Sequence, residues 1–171
     1  MDDKLVATKL VLWSVNLAGY TRACTHHDAL TIGRFVDAWY AHCVTAVHGR
    51  GGRIVKFIGD GCLAQFGADR AVDAIDAVTD LSHAITALRA SSGLKVELGA
   101  NVHAAVVAAG VFGSGDDARY DVIGSGVNHL FRMGAGPGVR ISEPIYRQLP
   151  DERRGPWRRD RPPATYSLSE S

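Results

Sequence analysis

Residues Ala7–Ser14 are rich in Val and Leu with no helix-period polar face, which predicts a buried strand running into a loop at Asn16–Thr21. After Asp28, a residue suited to an N-cap, apolar positions recur at steps of three and one from Ile32 through Phe35, Trp39 and Cys43 to Val47, the face of a long helix. Gly49, Gly51 and Gly52 end it. Arg53–Phe57 and Cys62–Phe66 then read as two strands joined by a tight turn over 58–61, which places Asp60 at a hairpin tip. A second helix is predicted from about Ala68 to Ala90, stopped by Ser91-Ser92-Gly93. Two further strands, Val96–Val102 and Val106–Phe112, are followed by an exposed excursion over 113–117 and a short strand, Asp121–Ile123. A helix at Gly124–Met133, a strand at Val139–Ser142, a short helix at Glu143–Leu149 and a last edge strand at Thr165–Leu168, beyond an Arg- and Pro-rich loop over 150–163, complete the pattern.

The order β-α-β-β-α-β predicts an α+β fold, a ferredoxin-like βαββαβ core with extra strands and helices and with its helices packed on one face of the sheet. At 171 residues the chain is expected to be a single domain, its core over about 5–149 and a basic loop and edge strand over 150–171. The 19 basic and 18 acidic side chains cancel to a formal +1, so no overall field draws the protein to nucleic acid or to an anionic membrane. Apolar runs such as Leu10–Val15 fall far short of the ~20 residues that span a bilayer, and a cytoplasmic protein is expected. Cys24, Cys43 and Cys62 are odd in number and widely spaced, which suits reduced thiols rather than a disulfide framework or a zinc site. No strand offers the alternating exposed aromatics with which this kind of sheet reads RNA.

Three segments carry the chemistry: WSVNLAGYT over 13–21, VKFIGDGCLAQF over 55–66 and RYDVIGSGVNHLFRM over 119–133. Together, in this order and at these separations, they resemble the signature regions of class III nucleotidyl cyclases, and the resemblance covers about Leu5–Leu149. It implies a site for two divalent ions, Mg²⁺ or Mn²⁺, held by Asp60, by the residue at position 16 and by the Leu17 carbonyl. Where the family has an aspartate at the first of these positions, this chain has Asn16, a neutral amide that removes a full charge from the shared site. Restoring the carboxylate with Asn16→Asp is therefore expected to raise turnover. Backbone N–H groups of Ala18, Gly19, Tyr20 and Thr21 would face phosphate oxygens.

The resemblance also assigns Lys56 and Asp121 to the purine. Adenine presents an acceptor at N1 and a donor at N6, which an ammonium and a carboxylate satisfy, whereas guanine presents the reverse; ATP is the expected substrate. Asn128 and Arg132, four apart on one helical face, match the family's ribose-orienting and transition-state residues, and Arg158 or Arg161 would reach the outer phosphates. In this family the ion-binding residues come from one subunit and the purine, ribose and transition-state residues from the other. This chain carries both halves, so a homodimer with two composite sites is implied, with the excursion after 112 as a candidate dimer arm. The expected activity is conversion of ATP to 3′,5′-cyclic AMP and pyrophosphate, weakened by Asn16. A nucleotide-binding, dimerising sensor with little catalysis is the alternative, and a guanylyl cyclase a lesser one.

Overall fold

The structure, a computed structural model, describes residues 4–160 and 165–168. Strands β1 (Leu5–Ala18), β2 (Arg53–Ile58), β3 (Gly61–Gly67), β4 (Glu97–Phe112), β5 (Arg119–Ile123), β6 (Gly138–Ser142), β7 (Trp157–Arg159) and β8 (Thr165–Leu168) form one sheet. Its order is β2-β3-β1-β4-β6-β8-β7, with β5 paired to β4 off this path. The helices are α1 (Tyr20–His26), α2 (Ala29–Gly49), α3 (Ala71–Ser92), α4 (Ser125–Arg132) and α5 (Glu143–Gln148).

Strand alternation sorts the two faces. Along β1, Val11, Trp13, Val15 and Leu17 join the large core under α2, α3 and α5, while Leu10 and Leu12 turn to a smaller core with Leu63, Val107 and, from α4, Val127 and Leu130. The indole N–H of Trp13 donates to the Ala74 carbonyl at 3.1 Å, so the largest side chain of β1 is satisfied as well as buried. Asp28 caps α2 by accepting from the N–H groups of Leu30 and Thr31, and Gly93 ends α3 in the left-handed conformation at φ 73°.

Four expectations are corrected. The two strands expected on either side of 103–105 are one strand: β4 pairs with β1 without interruption from Leu5↔Gly110 to Ala18↔Glu97, because His103-Ala104-Ala105 contains no breaker and the register continues through it. The last strand is not at the edge. β8 lies between β6 and β7, and β7 forms in what reads as an Arg- and Pro-rich loop because Trp157 docks in the core while Arg158 and Arg159 stay outside. Nor are all helices on one face, since α4 packs opposite α2 and α3 through its Val127 and Leu130 stripe. Finally, the loop expected over Asn16–Thr21 shrinks to Gly19, between the end of β1 and the start of α1. The excursion after β4 is a hairpin returning into β5, with Phe112 paired to Arg119. Cys43 and Cys62 are buried and free, and Cys24 is exposed and free.

Candidate active site

Asp60 is brought to β1 by the β2–β3 hairpin. Its Oδ2 accepts the Leu17 N–H at 2.7 Å, and the turn is pinned from α2: Trp39 Nε1 donates to the Asp60 carbonyl at 3.0 Å and the Tyr40 hydroxyl donates to the Gly59 carbonyl. Gly61 makes the close approach possible, since a Cβ there would stand 1.9 Å from the Val15 carbonyl oxygen. Trp39 and Tyr40 read in sequence as positions of a core face, and nothing local marks them as supports of the hairpin tip.

A cavity of about 580 Å³ opens beside this carboxylate, lined by Asn16 through Arg22, Asp60, Ser14, Asn101, Phe131, Gly134 and Ala135. It gathers the residues expected at the ions and phosphates, Asn16, Leu17, Ala18, Gly19, Tyr20 and Thr21, around Asp60. Gly19 holds φ 88°, and a Cβ on it would meet the Lys95 carbonyl oxygen at 2.8 Å, so this tight entry into α1 requires glycine. Asn101, Phe131 and Arg22 were not expected here. Asn101 carried a signal, an amide inside an apolar strand, whereas Phe131 and Arg22 had none.

The donor set decides what cation chemistry fits. Asp60 keeps one carboxylate oxygen beyond its bond to Leu17, and among the described residues no group of three or more His, Cys, Asp or Glu side chains converges. Asp60 is the one carboxylate among the residues lining this cavity, and Asp60 with the Leu17 carbonyl would hold a divalent cation there. Asn16 Nδ2 donates to the Ala135 carbonyl at 2.8 Å, and its Oδ1 leans over Gly99.

Lys56 and Asp121, 65 residues apart, meet: Nζ lies 2.7 Å from Oδ2. A bulge makes this possible. In β2, Ile54 pairs with Ala64 but Lys56 with Leu63, so the register slips by one residue between them and Lys56 is turned to the face of Leu63 rather than that of Ile54. The neighbouring Tyr120 donates to Gln65 Oε1 at 2.8 Å, and the Arg53 guanidinium covers its ring at 3.7 Å. Asn128 and Arg132 are exposed on α4, the Arg132 Nε 3.3 Å from the Asn128 carbonyl. Arg158 sits on β7 with its guanidinium on the carbonyls of Gly155 and Trp157, separated from β1 by three strands and lining neither cavity at Gly19. Arg161 lies outside the described residues.

Behind α4, His103 stands with Nδ1 2.9 Å from Ser142 Oγ and its ring 4.6 Å from that of His129. Burial, with His129 adding to it, lowers its pKa from 6.5 to about 4. Between those values the unfolded chain binds the proton that the folded chain refuses, so stability holds above pH 6.5 and falls as pH drops towards 4. Thermal melts are expected to show this decline, and His103→Gln to flatten it. An equal decline in the variant would place its source elsewhere.

A sheet with α2 and α3 on one face and α4 on the other, an acid at a hairpin tip beside a glycine turn, and a Lys–Asp pair next to an exposed Asn/Arg helix are together the features of a nucleotidyl cyclase catalytic domain. Residues 9–157 match the family model for the adenylate and guanylate cyclase catalytic domain, and the chain belongs to that family. Uncharacterised proteins of Mycobacterium tuberculosis are 31% and 32% identical to it over 120 residues, 70% of this chain. The chain spans only about a fifth of their length, 22% and 21%. Among solved structures, the adenylyl cyclase CyaB from P. aeruginosa superposes with a TM-score of 0.86 at 20% identity, covering 98% of this chain and 96% of that one. The guanylyl cyclase Cya2 gives 0.84 at 21%, covering 95% and 92%. A dimeric guanylyl cyclase domain from Blastocladiella emersonii gives 0.84 at 19%, covering 96% of each. At these identities the likeness is one of fold, and it embraces proteins named for either purine. Among the described residues no helix is long and apolar enough to cross a membrane.

Proposed function

We propose that the chain is an adenylyl cyclase catalytic domain that acts in the cytoplasm as a homodimer and converts ATP to 3′,5′-cyclic AMP and pyrophosphate. In the reaction the ribose 3′-oxygen forms a bond to the α-phosphorus in line with the bond that breaks to the β-phosphate oxygen, pyrophosphate leaves, and the 3′-hydroxyl proton passes to solvent. The observation that carries the choice of ATP is the Lys56–Asp121 pair, a donor and an acceptor 2.7 Å apart and complementary to N1 and N6 of adenine. Asn128 orients the ribose. Arg132, exposed on α4 and free of any acid partner among the described residues, faces charge growing on the α-phosphate. Asp60 and the Leu17 carbonyl hold one divalent cation, Mg²⁺ or Mn²⁺, which supplies neutralisation of phosphate charge. The backbone of Ala18–Thr21 receives the phosphates, and Arg158 or Arg161 is the candidate for the outer phosphates.

Exposed apolar side chains support a second copy of the chain as partner: Phe57, Ile58, Val106, Ile123 and Phe131 lie on the elements that carry the purine and ribose residues or on the strand beside them. A second reading, a nucleotide-binding dimerisation module with little turnover, is favoured by the single carboxylate at the cation site. Purified protein incubated with ATP or GTP and Mn²⁺ separates the readings. Cyclic AMP is expected, with cyclic GMP at least about tenfold slower. ATP binding without cyclic product supports the module, and preferential formation of cyclic GMP overturns the assignment of Lys56 and Asp121.

A further inference from the structure

The connection from α4 to β6, Met133-Gly134-Ala135-Gly136-Pro137, is rich in glycine and has no regular structure, yet its four successive carbonyls from Gly134 to Pro137 each meet a side-chain donor. Asn101 Nδ2 reaches Gly134 at 2.8 Å and, at the end of α4, Leu130 at 3.1 Å. Asn16 Nδ2 reaches Ala135 at 2.8 Å, and the two guanidinium nitrogens of Arg140 reach Gly136 at 3.1 Å and Pro137 at 3.0 Å. We propose that Asn16, Asn101 and Arg140 form a clamp that fixes this connection as a wall of the nucleotide pocket, and that Asn16 is a positioning residue of this clamp rather than a cation ligand.

Strand geometry supports the assignment. Even positions of β1, with Leu10 and Leu12 in the α4 core, place Asn16 on the α4 face. Position 16 pairs across to Gly99 of β4, and the Asn16 Oδ1 leans over it, since a Cβ added to Gly99 would stand 2.7 Å from that oxygen. The amide therefore tilts towards β4, whereas Asp60 hangs from the turn before β3, on the other side of β1. Asn101 is 3% exposed, and with its Nδ2 committed twice to carbonyls its Oδ1 is buried without a partner, so its orientation is set by the connection it holds.

The clamp needs donors. A carboxylate at 16 has no N–H for the Ala135 carbonyl and would set two acceptors against each other. Gly134 and Ala135 line the cavity beside Asp60, Pro137 lines an adjoining cavity of about 490 Å³ with Arg22 and Lys95, and α4 immediately precedes them. The clamp thus ties the cation half of the site to the helix that carries Asn128 and Arg132. This disagrees with the two-ion site that the resemblance implies, and with the gain expected from Asn16→Asp.

The role in nucleotide binding rests on the cyclase reading; the clamp does not, and two readouts keep them apart. Amide hydrogen exchange is followed by mass spectrometry over residues 127–142, from α4 through β6, whose hydrogen-bonded amides flank the clamped connection, in the wild type, Asn16→Asp, Asn16→Ala and Arg140→Lys. Exchange at least about tenfold faster in each variant is expected, the effect of losing one hydrogen bond that orders a loop. Unchanged exchange in both Asn16 variants overturns the clamp, and Arg140→Lys tests it with Asn16 intact. In parallel, ATP binding is titrated against Mn²⁺. Both variants lose the same clamp bond, so the concentration for half-maximal binding is expected to agree within about twofold between Asn16→Asp and Asn16→Ala, since neither changes a ligand of the cation. A clear fall in that concentration for Asn16→Asp, with or without faster exchange, overturns the positioning role and restores Asn16 to the cation. A wild type that binds no ATP at any Mn²⁺ concentration refutes the cyclase reading, and the exchange data still decide the clamp.

Discussion

Asp60→Asn and Arg132→Ala chains, each nearly inactive alone, are expected to recover about a quarter of wild-type activity when mixed in equal amounts and allowed to exchange subunits, because a two-fold dimer pairs each damaged half with an intact one. The figure follows from chance. Half of the dimers are then heterodimers, and in each of these one site combines both intact residues while the other combines both lesions. Asp60→Asn is chosen because an amide oxygen still accepts the Leu17 N–H that Asp60 Oδ2 now holds at 2.7 Å, so the hairpin keeps its anchor while the charge is lost. Arg132 is exposed, and among the described residues its hydrogen bond is to the Asn128 carbonyl within α4, so its loss leaves packing intact. Each substitution alone should lower turnover on the order of 10²–10³-fold, the usual loss for a group that faces developing charge. Arg132→Ala should do so with little change in ATP affinity. No recovery, with subunit exchange demonstrated by mass spectrometry, would show that each site is built within one chain.

The second large effect is expected from reversing the purine-facing pair. Lys56→Glu combined with Asp121→Gly presents an acceptor where adenine N1 also accepts and removes the acceptor that N6 needs, a mismatch worth about 1–3 kcal/mol. The preference for ATP over GTP should fall by about ten- to a hundredfold in competition binding. Stability should fall by about 1 kcal/mol, less from the ion pair, whose lysine is 43% exposed, than from placing glycine in β5 and removing the acceptor of the Val122 N–H. An unchanged ratio of the two nucleotides in a folded double variant would remove Lys56 and Asp121 from base recognition.

Local pattern made much of this protein legible. The apolar period of α2, the N-cap at Asp28, the glycines that end α2 and α3 and the hairpin that carries Asp60 depend on residues close in sequence, and they stand where expected to within a few positions. The motifs likewise named residues that the fold assembles: Asp60 with Leu17, and Lys56 with Asp121. What was misread depended on partners far along the chain. β4 is continuous because β1 pairs with all of it, and β7 is a strand because Trp157 reaches the core. Neither fact is written in the few residues concerned.

The sequence by itself determined which elements form and which chemical groups the chain possesses, because helix period, strand alternation, capping and turn chemistry act over a few neighbouring residues. Only the tertiary structure decided where those groups point. A one-residue slip between Ile54 and Lys56 moves the lysine from the face of one core to that of the other, since side chains alternate at every step of a strand. The α4 stripe finds its apolar partners on the face opposite α2 and α3. Asn16, a residue whose amide and isosteric acid differ by one hydrogen-bonding group, takes its role from Ala135, 119 residues away, because an N–H is satisfied by whichever acceptor the packed chain brings within reach.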